Sequence, residues 1–253
     1  MRKAAFTVIE LLAAGAIVAV LSALLAGAGW EVYERSSLAV SAANIRSLAA
    51  GGAQYLLDHN HRYWRYLDHA DDGVLWWWGF ESKASLKSKE GQRDFNAARG
   101  PLAGYVPKRI QPDPSFAFAG SAFKPKYKNG YIGMGYNVLI GGGWGAPKYN
   151  KAGELTNPTS SYWALSDPSK LVVFATSAQV YPFSSSKNPK IEEFYGLDEK
   201  EICVHFRHAG NAMVAFANGS AGFLPMDEST RDRRMPEANI GRFAPKHSTK
   251  YLQ

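Results

Sequence analysis

Three groups of residues carry types from which chemistry could be built. Glu10 is the one charge between Phe6 and Gly29. A carboxylate within an apolar helix costs about 2.5–3.5 kcal/mol to place in a bilayer, so it marks either a compensating cation or a solvated position near the headgroups. His59, His61 and His69, with Asp58, Asp68, Asp71 and Asp72, are metal-ligand types close together. They follow no recognised ligand spacing, so a polar loop without metal is expected. His208 and Asn218 lie ten residues apart. Ten extended residues cover about 33 Å, which sets the two at opposite ends of one strand and excludes a shared acid/base or calcium site. His208 then reads as a hydrogen-bonding residue that fixes a loop, and Asn218 with Gly219 as a turn at positive φ.

The remaining searches exclude several classes. There is no Gly-x-Ser-x-Gly elbow and no His-Glu-x-x-His. No enzyme is expected. Gly141-Gly142-Gly143 lacks a following Lys-Ser/Thr and a βαβ setting, so no cofactor is expected either. The net charge of +7 comes from Lys and Arg scattered among acids, a pattern that predicts no nucleic-acid partner. Cys203 is the single cysteine; flanked by Ile202 and Val204, it reads as a buried structural thiol.

These residues need elements to hold them. Leu11 to Gly29 gives nineteen consecutive uncharged positions, and a helix from Phe6 to Trp30 would be on the order of 37 Å long, enough to cross a hydrocarbon core. Arg2 and Lys3 precede it, so the positive-inside rule leaves the N-terminus in the cytoplasm and the following domain outside. Leu38, Ala42, Ile45, Ala49, Gly52 and Leu56 then recur at helical spacing, extending the helix to about Asp58 with a narrow apolar seam for a sheet. Gly51-Gly52 could mark a bend.

The leader carries a resemblance. Arg2-Lys3-Ala4-Ala5, followed by Phe6-Thr7-Val8-Ile9-Glu10-Leu11-Leu12, resembles the signal of type IV pilins and type II secretion pseudopilins, with Ala5 where the family usually has Gly. The resemblance implies cleavage between Ala5 and Phe6 by a prepilin peptidase, N-methylation of Phe6, and pairing of Glu10 with the amino terminus of a neighbouring subunit. It also implies other pilin-like subunits, an inner-membrane assembly platform and an ATPase as partners.

The rest of the chain reads as strands and loops. Val74-Leu75 continues into Trp76-Trp77-Trp78, where alternation would leave at least one indole outside to stack on a sugar or touch a neighbour, unless the run packs in a core. Tyr131–Val138 reads as a strand, as do Lys170–Thr176, Ile202–Phe206, Ala212–Ala217 and Ala221–Leu224, the last four forming an antiparallel meander. Asn218-Gly219 signals a type I′ hairpin turn. Phe206-Arg207-His208-Ala209-Gly210-Asn211 and Val214 to Gly219 resemble the C-terminal H-X9-DG element of large prepilin-like proteins from Planctomycetes, Verrucomicrobia and Lentisphaerae, with Asn218 in place of Asp.

The expected fold is α+β and pilin-like, a long N-terminal helix with a membrane-spanning first half packed on an antiparallel sheet. Its parts are a leader (1–5), a transmembrane helix (6–30), an extracytoplasmic continuation (31–58) and a globular head (59–253) ending in a flexible tail. The expected role is a structural pilin or pseudopilin subunit, single-pass in the inner membrane, with the head periplasmic or in a surface filament. An anchored glycan- or ligand-binding module is the alternative.

Overall fold

A computed structural model describes residues 7–106, 110, 112–128, 130, 132–181 and 187–244, and their side chains apart from those of 25–31 and 117–119. The leader and the tail therefore lie outside the described residues. The chain divides into two compact units, Met1–Ala39 and Val40–Gln253. Helix α1 (Val8–Asp58) begins in the first and ends in the second.

In the first unit, every described side chain from Thr7 to Leu24 is exposed. No helix among the described residues is long and apolar enough to cross a membrane, so the expected span over residues 6–30 is not shown. The described side chains of the apolar run stop at Leu24.

In the second unit α1 buries Ser41, Asn44, Ile45, Leu48, Gly51, Gly52 and Leu56, while Ala42 and Ala49 of the expected seam, like Leu38 at the end of the first unit, are only partly covered. Gly51-Gly52 does not interrupt the helix. A methyl group built on Gly52 would lie 2.9 Å from the Trp64 ring and 3.9 Å from Phe174, and one on Gly51 would lie 2.8 Å from Val106. The two glycines are sites of close approach, which is why the face includes them.

The second unit is mixed α+β, its helix packed on a mainly antiparallel sheet. Strands β1 (Leu67–Ala70), β2 (Gly73–Trp76) and β3 (Gly79–Ser82) form an antiparallel three-stranded sheet; β2 lies on the strand expected from Val74, whereas β1 stands where a polar loop was expected. The other strands are β4 (Met134–Asn137), β5 (Val172–Thr176), β6 (Gln179–Val180), β7 (Ile191–Glu192), β8 (Gly196–Leu197), β9 (Val204–His205), β10 (Asn211–Phe216), β11 (Ala221–Asp227) and β12 (Ile240–Phe243). Seven of them form one sheet in the order β8-β4-β5-β10-β11-β12-β9, with β4 and β8 parallel, and β6 pairs with β7. β5 is apolar up to Thr176, in keeping with its place in the interior of this sheet, where all five residues are buried and the Thr176 hydroxyl donates to the His205 carbonyl.

The expected meander holds only in part. β10 pairs with β5 and β11, whereas β9 pairs with β12, a strand the alternation did not reveal. A bridge from Ser177 to Val204 brings that far edge back to the end of β5. The Trp run is also inside: Trp77 is 2% and Trp78 7% exposed, and Trp76 is half-buried. β2 ends at Trp76, so the next two residues follow a turn in place of strand alternation. Trp77 Nε1 donates to the Tyr195 carbonyl (2.6 Å), and Trp78 stacks on the Tyr195 ring at 4.2 Å.

Candidate functional site

At the start of α1, Thr7 and Glu10 make reciprocal contacts. Thr7 N and Oγ1 donate to Glu10 Oε2 at 2.8 and 2.9 Å, and Glu10 N donates to Thr7 Oγ1 at 3.2 Å. This is a capping box, with Thr at the N-cap and Glu three residues on, and it satisfies backbone donors that a helix start leaves open. The signal Thr7-x-x-Glu10 stands in the sequence and went unread there. Glu10 thus has a local role besides any role in assembly. Ala5 and Phe6 lie outside the described residues.

At the other end, His208 and Asn218 flank β10 at its entry and exit. His208 N donates to the Asn211 carbonyl and Asn211 N to that of His208, closing a two-residue turn in which Ala209 (φ 49°) and Gly210 (φ 75°) are both left-handed. That is where the I′-type hairpin turn sits. Asn218 is not left-handed. Gly219 N donates to the Phe216 carbonyl, Gly219 has φ 84°, and Phe216 N donates to the Ser220 carbonyl. A three-residue loop of this kind needs one left-handed residue, and Gly219 takes that position. The Asn218 side-chain Oδ1 instead accepts from Ser220 N and Oγ.

His208 fixes its turn through backbone groups; its Nε2 is buried without a hydrogen-bond partner. Burial, with the nearby Arg207 charge, pushes its pKa down to about 4. His205 is buried in β9, and the same two causes hold it well below the ordinary range.

The residue between them carries the strongest polar site in the head. Arg207 pairs with Asp113 through Nη1, and its Nη2 donates to the carbonyls of Gly133 (3.0 Å) and Ser177 (2.9 Å). Ser41 Oγ, on α1, donates to Asp113 Oδ2 at 2.6 Å, and Ser115 N and Oγ donate to Oδ1. Burial alone would raise the Asp113 pKa; Arg207 and the bonds from Ser115 and Ser41 outweigh it and hold it at about 2. Asp113 and Arg207 passed unnoticed in the sequence because nothing local links residues 94 positions apart.

Glu81 and Glu193 are buried acids of the same unit. Glu81 accepts from Arg93 Nε and Nη2 (both 2.7 Å), Ser85 Oγ, Tyr127 OH and Trp76 Nε1, which leaves it no capacity for a substrate. Glu193 is pushed up to about 6 by burial, against bonds donated by the Lys126 and Tyr127 backbone. That value suits a general acid or base, yet the carboxyl is fully buried. The half-open pocket of the head, about 500 Å³, is lined by Leu48, Trp77, Trp78, Phe95, Leu102 and Ile132 with Asn96 as the one polar side chain among its described lining residues.

Among the described residues no three His, Cys, Asp or Glu side chains converge on a metal position. His59 stacks on Tyr55 at 3.7 Å, His61 packs against Trp163, and His69 is exposed on β1. Cys203 is buried, its thiol pushed up to about 12 by burial, so it carries little thiolate. No protein-family model matches this chain, and no curated protein and no solved structure matches it.

Proposed function

We propose that the chain is a prepilin-like structural subunit, cut between Ala5 and Phe6, held in the membrane by the first part of α1 and assembled with other copies or related subunits. The observation that carries this reading is the exposed apolar surface of residues 8–24. Val8, Leu12, Ile17, Val20 and Leu24 are each 60–74% exposed. Covering one such side chain is worth about 1.5–3 kcal/mol, so a surface of this kind requires an apolar environment such as lipid or neighbouring helices. The leader Arg2-Lys3-Ala4-Ala5 before Phe6 and the position of Glu10 select the prepilin route over a simple anchor. A peptidase, an assembly platform and an ATPase are the partners of this reading, with the head outside the cytoplasm.

Mass spectrometry of the N-terminus in a host with prepilin peptidase tests it. The expected species begins at N-methylated Phe6. An intact Met1, or cleavage after the apolar run, overturns the reading. Glu10→Gln separates the two roles of that residue, because Gln preserves a capping box but removes the charge. Loss of filament incorporation with an intact helix start assigns the charge to assembly, and normal incorporation leaves Glu10 as a cap alone.

A further inference from the structure

We propose that Trp163, with His61 and Tyr162, forms a platform on which a pyranose ring of a neutral glycan stacks. Trp163 is 72% exposed, the most exposed of the described tryptophans. It is also held in place. Tyr162 N donates to the His61 carbonyl (2.7 Å), Tyr63 N to the Ser160 carbonyl (3.0 Å), and Ser160 N to the Ile140 carbonyl (2.9 Å). Arg62 Nη1 donates to the Thr159 carbonyl at 3.0 Å. The His61 and Tyr162 rings meet the indole edge-to-face, at 4.9 and 5.4 Å, and at this exposure they leave much of the ring open to solvent.

The backbone beneath is unusual. α1 ends with His61 N donating to the Leu56 carbonyl (2.7 Å) and Asn60 left-handed at φ 51°, a helix cap that needs one left-handed residue. His61 is left-handed as well, at φ 57°. A second non-glycine residue in this region is disfavoured, and it is the turn that brings the imidazole against Trp163. An exposed, pre-ordered indole loses little entropy on binding a ligand.

The chemistry around the ring selects the class of ligand. A protein interface buries about 800 Å² on each partner around several apolar anchors. Here one exposed indole is met by the half-buried imidazole of His61 and phenol of Tyr162. A pyranose ring has one apolar face of similar size to an indole and hydroxyls at its rim, which such donors and acceptors meet. This platform does not depend on the anchored-subunit reading, and its failure would leave that reading untouched.

The test uses the full chain in lipid nanodiscs prepared without glycoside detergent. The probes are hexamers of β-1,4-linked glucose and of β-1,4-linked N-acetylglucosamine, read by tryptophan fluorescence and saturation-transfer NMR. Saturable binding of at least one hexamer is expected, weakened roughly tenfold or more in Trp163→Ala. Trp163→Phe should retain most of the binding, with His61→Ala between the two. A melting midpoint matching the parent chain verifies that Trp163→Ala is folded. No saturable binding of either hexamer, or binding that Trp163→Ala leaves unchanged, overturns the proposal. Loss of self-association in Trp163→Ala without any effect on glycan overturns it too, and assigns the ring to a contact between copies.

Discussion

Both ends of α1 draw on Ala, Leu, Ile and Gly, but the later one also carries Ser41, Asn44, Arg46, Ser47, Gln54 and Tyr55, and the two meet different surroundings. From Thr7 to Leu24 every described side chain is exposed; from Ser41 to Leu56 one face is buried against aromatic rings and a buried acid. The apolar residues the two parts share therefore do not by themselves decide what covers the helix. In the later part the decision comes from glycines that admit Trp64 and from Ser41, which reaches Asp113. In the earlier part Gly15 has nothing within 4 Å of where a methyl group would stand.

The largest test of this contrast removes the buried ion pair. Arg207→Met leaves Asp113 buried without its cation and should destabilise the head by about 3–5 kcal/mol, read from urea unfolding of the full chain in lipid. Amide hydrogen exchange of residues 8–24 in the same sample should not change. A wild-type urea midpoint would show that the Ser41–Asp113–Arg207 contacts do not hold that part of α1.

Acid offers the next largest effect. His208 is held at about 4 against an ordinary 6.5, so the unfolded chain takes the proton first and stability present above pH 6.5 is lost as pH falls towards 4. At about 1.4 kcal/mol per unit this is roughly 3 kcal/mol. Glu193 opposes it: its pKa of about 6 against 4.5 makes the head more stable as pH falls from 6 to 4.5, by roughly 2 kcal/mol. The histidine wins, and His205 adds to it in direction. The urea midpoint should therefore drop between pH 6.5 and 4, less in His208→Gln and more in Glu193→Gln. A flat profile in the parent chain would remove the histidine from the balance.

A paired substitution sharpens the comparison at smaller scale. Gly52→Ala places a methyl group 2.9 Å from Trp64 and should cost about 1–3 kcal/mol. Gly15→Ala meets open space and should raise helix stability by up to about 1 kcal/mol. Equal effects in thermal melts would mean that packing does not separate the two parts of the helix. The smallest effect is expected of Asn218→Asp, which keeps an oxygen for Ser220 N and should stay within about 0.5 kcal/mol.

Some of this was legible from residue order alone. The end of α1 at Asp58 followed from the apolar spacing, and β5, β10 and β11 from their apolar runs, since both patterns are local. The burial of Trp77 and Trp78 agrees with the core alternative for the Trp76–Trp78 run, while its reading as one continuous strand fails because β2 stops at Trp76. Likewise Asn218-Gly219 was assigned the turn that belongs to Ala209-Gly210. Loop length, three residues against two, chooses the turn type, and strand ends set that length.

The sequence by itself determined the apolar N-terminal run with its lone Glu10, the long helix and the principal strands, all of which depend on composition and short-range period. Only the tertiary structure decided that β9 joins β12, that Arg207 meets Asp113 and Ser41, and that Trp77 is buried while Trp163 is exposed. Those outcomes depend on which distant segments share space, and each residue type involved is compatible with either result until the chain is closed around it.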